Sequence, residues 1–146
     1  MQFRCGYFLV TLLAIVSLQS QAAENAQAVI IDTGSTNRPG VQVTISANGS
    51  ATVEGRGVEP RALQFDSQLC KRFLSSLQSA APLHALPAAH CVKSVSFGSR
   101  LFVEYNGERS PDLGCPVQQD PKVNDLKKQA LEILQTAKGA SAPRRF

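Results

Sequence analysis

Residues 91–115 read CVKSVSFGSRLFVEYNGERSPDLGC, and this stretch decides how the rest of the chain is assembled. Val92 to Phe97 alternates, which predicts a strand with Val95 and Phe97 facing one way. Gly98-Ser99-Arg100 then turns the chain. Leu101, Val103 and Tyr105 line one face of a return strand, and Asn106-Gly107 is a second turn signal that sets Glu104 against Arg109. Ser110-Pro111-Asp112 ends regular structure. The segment from Arg109 through Ser110 and Pro111 to Asp112 is therefore a polar loop tied down near Cys115. It is read here as a candidate binding surface, because loops held on a rigid scaffold carry contacts.

Upstream, Val29-Ile30-Ile31 opens a strand that runs into Asp32-Thr33-Gly34-Ser35, followed by turn chemistry over 36–40. Val41 to Gly55 is a hairpin whose register follows from burial. A two-residue Asn48-Gly49 turn would oppose Ile45 to Thr52, setting apolar against polar. A three-residue loop, Ala47-Asn48-Gly49, pairs Ile45 with Ala51, Val43 with Val53 and Thr44 with Thr52. One buried face requires the second register, with Gly49 left-handed. Gly55 to Pro60 is expected to be a loop.

Two helices complete the reading. Asp66 or Ser67 caps the first, in which Leu69, Cys70, Phe73, Leu74, Leu77, Ala80 and Ala81 share one arc before Pro82 stops it. Asp120 before Pro121 starts the second, with Val123, Leu126, Ala130, Ile133, Leu134 and Ala137 at helical spacing and Gly139 as the stop. The expected class is α+β: a small antiparallel sheet of about four to five strands with two helices packed on one face.

Met1 to Arg4 is a short basic start, and the apolar run that follows ends in Ser20-Gln21-Ala22. That is the form of a secretory signal over residues 1–22, too short for a comfortable membrane span. Residues 23–139 then make one exported domain, with 140–146 as a disordered basic tail. Of the 15 basic residues only Arg4 lies in the leader, so 14 face 11 acidic residues in the remainder, a net +3. The charge is mild and scattered, which argues against nucleic acid as a partner. No membrane contact is expected after signal cleavage.

An exported chain can keep disulfides. Cys91–Cys115 is the expected bond, with Cys70–Cys91 as the alternative; Cys70 sits within the helical apolar arc, where free cysteine behaves as a small hydrophobe. No metal is expected, since the spacing of His84, His90 and Cys91 matches no zinc site, and no cofactor motif is present. Ser94, Ser96 or Ser99 with His90 and Asp112 lacks a Gly-x-Ser-x-Gly elbow.

Three resemblances bear on function. Ile30-Ile31-Asp32-Thr33-Gly34-Ser35 resembles the active-site loop of the aspartic proteases. That likeness implies Asp32 as the catalytic carboxylate of a dimeric peptidase, since the chemistry needs two such groups sharing a proton. The segments 32–40 (DTGSTNRPG) and 91–115 (Lys-Ser-x-Ser-Phe-Gly, then Gly-x-x-Ser-Pro-Asp-Leu-x-Cys) resemble a group of small exported bacterial proteins of unknown function. This likeness covers most of the exported part, implies no activity, and supports the Cys91–Cys115 pairing. The order strand, hairpin, helix, hairpin, helix is similar to emfourin-type inhibitors of thermolysin-like metalloproteases, a pattern that implies an inhibitor-like role and carries over no residues. The expected function is a secreted or periplasmic non-enzymatic binding domain acting on an envelope or extracellular protein. The alternative is the peptidase.

Overall fold

The computed structural model describes residues 26–96, 98–115 and 120–140. The segment expected to be a leader (1–22) and, apart from Ala140, the segment expected to be a tail (140–146) lie outside the described residues. Strands β1 (Gln27–Asp32), β2 (Val41–Ser46), β3 (Ser50–Gly55) and β4 (Val58–Gln64) precede helix α1 (Ser67–Ala80). A 3₁₀ turn (Leu83–Ala85), β5 (Leu101–Tyr105), β6 (Glu108–Arg109) and helix α2 (Pro121–Gly139) follow. The sheet runs β4-β3-β2-β1-β5-β6, and every neighbouring pair is antiparallel.

The β2–β3 hairpin takes the register that burial demands: Ile45 faces Ala51, Thr44 faces Thr52 and Val43 faces Val53. Gly49 adopts φ +90°, and a Cβ there would stand 2.4 Å from the Phe65 carbonyl oxygen. Glycine is thus required twice over, by conformation and by space.

Ala28, Ile30, Val43, Ile45, Val53 and Val103 point to one side of the sheet and are buried. There they meet the apolar faces of both helices. In α1 these are Leu69, Cys70, Phe73, Leu74, Leu77 and Ala80, with Asp66 accepting the Gln68 N–H at 2.7 Å as the cap. Ala81, expected in this arc, is instead exposed as the helix ends. In α2 the buried set is Val123, Leu126, Ala130, Ile133, Leu134 and Ala137, and Asp120 accepts from the Val123 N–H. Gln129 bonds Ser76 at 3.0 Å and ties the helices together. The class is α+β with six strands.

Three expectations need correction. First, Gly55 to Pro60 is no loop. The chain turns at Arg56-Gly57 and returns as β4, with Arg61 opposite Val53 and Leu63 opposite Ala51. Pro60 hides this strand in the sequence, but an edge strand tolerates proline because one side of its backbone has no ladder to join. Arg61, at a position facing the helices, donates to the carbonyls of Ala137 at 2.8 Å and Ala140 at 3.1 Å. A cation there satisfies the otherwise orphaned carbonyls of the α2 C-terminus.

Second, residues 92–96 form no strand; Phe97 is outside the described residues. The partner of β5 on its inner side is β1, with Ile30 opposite Val103. Third, the first strand begins earlier than Val29, at Gln27, with Ala28 fully buried.

Candidate functional site

The two segments singled out in the sequence, 32–40 and 91–115, interlock at one end of the sheet. Thr33 N–H donates to the Arg100 carbonyl at 3.0 Å, and Arg100 N–H returns a bond to Thr33 Oγ1 at 2.9 Å. Thr36 donates twice to the Val95 carbonyl, from its N–H and its hydroxyl, each at 3.1 Å. Arg38 Nη2 reaches Ser99 Oγ at 2.7 Å.

Asp32 anchors the first segment. Its side chain is buried, with Oδ1 accepting from the Gly34 N–H at 3.0 Å and from Arg38 at 3.1 Å. Oδ2 accepts from Lys138 of α2 at 3.0 Å. Gly34 has φ +66°, and a Cβ there would lie 2.4 Å from the Arg38 carbonyl oxygen, so the tight loop admits only glycine. Burial pushes the Asp32 carboxyl up, but the Gly34 N–H, Lys138 and Arg38 outweigh it and hold the group below the ordinary carboxylate value. A peptidase carboxylate needs an oxygen free to hold a proton and a water. Both oxygens of Asp32 are occupied by donors of its own chain, and its charge is stabilised rather than poised for proton transfer.

The loop expected to bind turns inward. Ser110 is buried, and its Oγ accepts from the Val103 N–H at 3.0 Å and donates to the Pro111 carbonyl. Asp112 Oδ1 accepts from the N–H groups of Leu101 at 3.0 Å and Gly114 at 2.8 Å. Ser110 N–H and Leu113 N–H donate to the carbonyls of Val103 and Leu101. Beyond the two-residue β6, the segment therefore continues the ladder along β5 with side-chain oxygens standing in for backbone carbonyls. This explains the Ser-Pro-Asp-Leu pattern: a serine and an aspartate two residues apart close the open edge, and proline supplies no donor that would need a partner. Arg109 points elsewhere. Its guanidinium stacks 4.1 Å over the Phe102 ring and pairs with Glu104 at 3.6 Å on the sheet face opposite the helices. Arg109, Ser110, Pro111 and Asp112 thus form no single exposed patch.

What the sequence reading missed is the loop beside them. Cys91 is bonded to Cys115, and Cys70 is free and buried. Lys93 turns in, donating to Asp112 Oδ2 at 2.7 Å and to the Ser99 carbonyl at 2.8 Å. Burial opposes the Asp112 charge, yet Lys93 and the two backbone donors hold its carboxyl below the usual range. Gly98 N–H closes onto the Ser94 carbonyl at 2.6 Å. With the lysine inside, the valines are outside: Val92 is 95% and Val95 80% exposed. Leu131 is the other large hydrophobic side chain that is exposed among the described residues. The spacing of three between Val92 and Val95 held the clue, because residues three apart cannot share one face of a strand.

The sulfurs of Cys91 and Cys115 and the Asp112 carboxylate lie within 4.8 Å of one another, but the sulfurs are committed to their bond. His84 stands 3.9 Å from Glu108, away from any such cluster. Asp112, held by Lys93, is not aligned on a histidine, and Ser99 Oγ accepts from Arg38. No family model, no curated protein and no solved structure is found to match this chain.

Proposed function

We propose that this chain is an exported, non-enzymatic binding domain that grips a protein partner, of the protease-inhibitor kind, through the Cys91–Ser96 loop. The observation that carries the proposal is the inversion at that loop: an inward lysine between two outward valines. Leaving two valines in water offers no folding benefit, whereas burying them under a partner is favourable. The loop is also held before binding, by the disulfide, by Lys93 and by the Thr36 bonds to Val95. A loop so held loses little conformational freedom on association. The disulfide is in keeping with an oxidising compartment and with residues 1–22 serving as a leader.

The test uses the exported protein, residues 23–146, mixed with secreted proteases, a thermolysin-like enzyme among them, and fluorogenic peptides. The expected result is stoichiometric loss of activity for one protease class. Val95→Asp should weaken that inhibition by about ten-fold or more, the worth of one buried valine, with an unchanged melting temperature. Inhibition indifferent to Val92→Asp and Val95→Asp would remove the loop from the reading. Peptide cleavage by the protein alone, lost in Asp32→Asn, would replace it with the peptidase.

A further inference from the structure

A groove of about 480 Å³ runs along α2 beside the candidate loop, between the helix and the end of β1. Its ionisable lining is Asp32, Arg38, Lys127 and Lys138, three cations against one carboxylate. Asp32 already holds both Arg38 and Lys138, so this end of the groove carries a surplus positive charge fixed in place. The Lys127 side chain makes no hydrogen bond or ion pair among the described residues. It lies eleven residues before Lys138 on the same helix, about 16 Å along the axis from the rise per residue. Leu131, 39% exposed, lies between the two cationic ends, above the buried Leu134. The pattern is cation, aliphatic centre, cation.

We propose that this groove receives an extended acidic segment of the protein partner: two carboxylates about five residues apart with an aliphatic side chain between them. An extended strand of about five residues covers the distance between the two cationic ends. The groove volume falls within the range of built ligand sites. Arg38 bonds Ser99, which also lines the groove, so the acidic segment would leave the groove beside the Val92–Val95 loop. The inference rests on the reading of the chain as a protein-binding domain, but it can fail separately.

The experiment is fluorescence anisotropy with a labelled, amidated hexapeptide Glu-Thr-Leu-Leu-Thr-Glu, its Gln-for-Glu counterpart, and sodium laurate as an unlabelled competitor. The acidic peptide should bind at least about ten-fold more tightly than the Gln peptide, with the difference shrinking as salt screens the charges. Lys127→Gln and Leu131→Asp should each weaken binding several-fold, here about five-fold or more, without moving the melting temperature, because neither side chain supports the core. Val95→Asp should leave probe binding intact, which separates this groove from the loop. Equal binding of the two peptides, or binding unchanged in Lys127→Gln and Leu131→Asp, overturns the proposal. So does failure of the acidic peptide to bind, and so does its displacement by laurate as readily as by the unlabelled acidic peptide, which would make the groove a site for free amphiphiles.

Discussion

Removing the Asp112 carboxylate tests the idea that the Ser-Pro-Asp-Leu segment is a structural clasp. Asp112 accepts two backbone N–H bonds, from Leu101 and Gly114, and one ammonium bond, from Lys93. The Lys93 and Asp112 side chains are only 17% and 16% exposed, so solvent screens the pair little. Hydrogen bonds to a charged group contribute about 1.5–3 kcal/mol each, and removing one partner of a buried pair costs about 3–5 kcal/mol. These overlap, so Asp112→Ala should cost about 3–5 kcal/mol in all. Asp112→Asn keeps an acceptor for the backbone but sets an uncharged amide against Lys93, and should cost about 2 kcal/mol. Lys93→Met should cost less than Asp112→Ala, because the carboxylate keeps both backbone donors.

Urea unfolding of the disulfide-intact protein at neutral pH measures all three. A double-mutant cycle with Lys93→Met isolates the pair, whose coupling should exceed about 1 kcal/mol for residues in direct contact. The pH dependence supplies a second check. The folded carboxyl lies below its ordinary value of 3.8, so its contribution is complete above the unfolded value and is lost as pH falls through the folded one. The gap between wild type and Asp112→Asn should therefore close in acid. A loss under about 1 kcal/mol for Asp112→Ala, below even one charged hydrogen bond, would refute the clasp.

Asp32→Asn should flatten the acid limb of the stability profile in the same direction, since burial, opposed more strongly by Gly34, Lys138 and Arg38, leaves that carboxyl lowered too; a pH titration of thermal unfolding checks it. Arg61→Ala should lower stability by about 1–2 kcal/mol through the lost bonds to the α2 C-terminus, and hydrogen exchange should rise in the last turn of that helix first. Cys91→Ser with Cys115→Ser should cost about 3 kcal/mol from the loop the bond closes. The same double variant should speed amide exchange at 92–96 more than at the β1–β2 ladder.

Much of this architecture was written in local pattern. Both helices were legible because apolar residues three and four apart must share a face, and their caps were marked by Asp66 and by Asp120-Pro121. The β2–β3 register was legible because a one-residue slip would bury threonine and glutamate. The Glu104–Arg109 pairing followed from the two-residue Asn106-Gly107 turn, and Cys91–Cys115 was the favoured bond because Cys70 belongs to the helical apolar arc, although Cys70–Cys91 stayed open until the fold was known. What sequence alone could not decide was which elements meet across long separations. The β4 edge strand carries a proline and a charge at a helix-facing position, and only the α2 C-terminus, 76 residues beyond Arg61, makes sense of that charge. Val92 to Ser96 has strand-like composition, but β1 already occupies the inner side of β5 and the 110–113 clasp closes the outer side. Once Lys93 is drawn to Asp112, no ladder remains for those residues to join, and the valines go to solvent. Ser110 and Asp112 read as loop residues, yet the open edge of β5 turns them inward, because a buried N–H without an acceptor is costly. Local periodicity set the elements; competition for sheet edges and for buried charge partners set the surface that is left exposed.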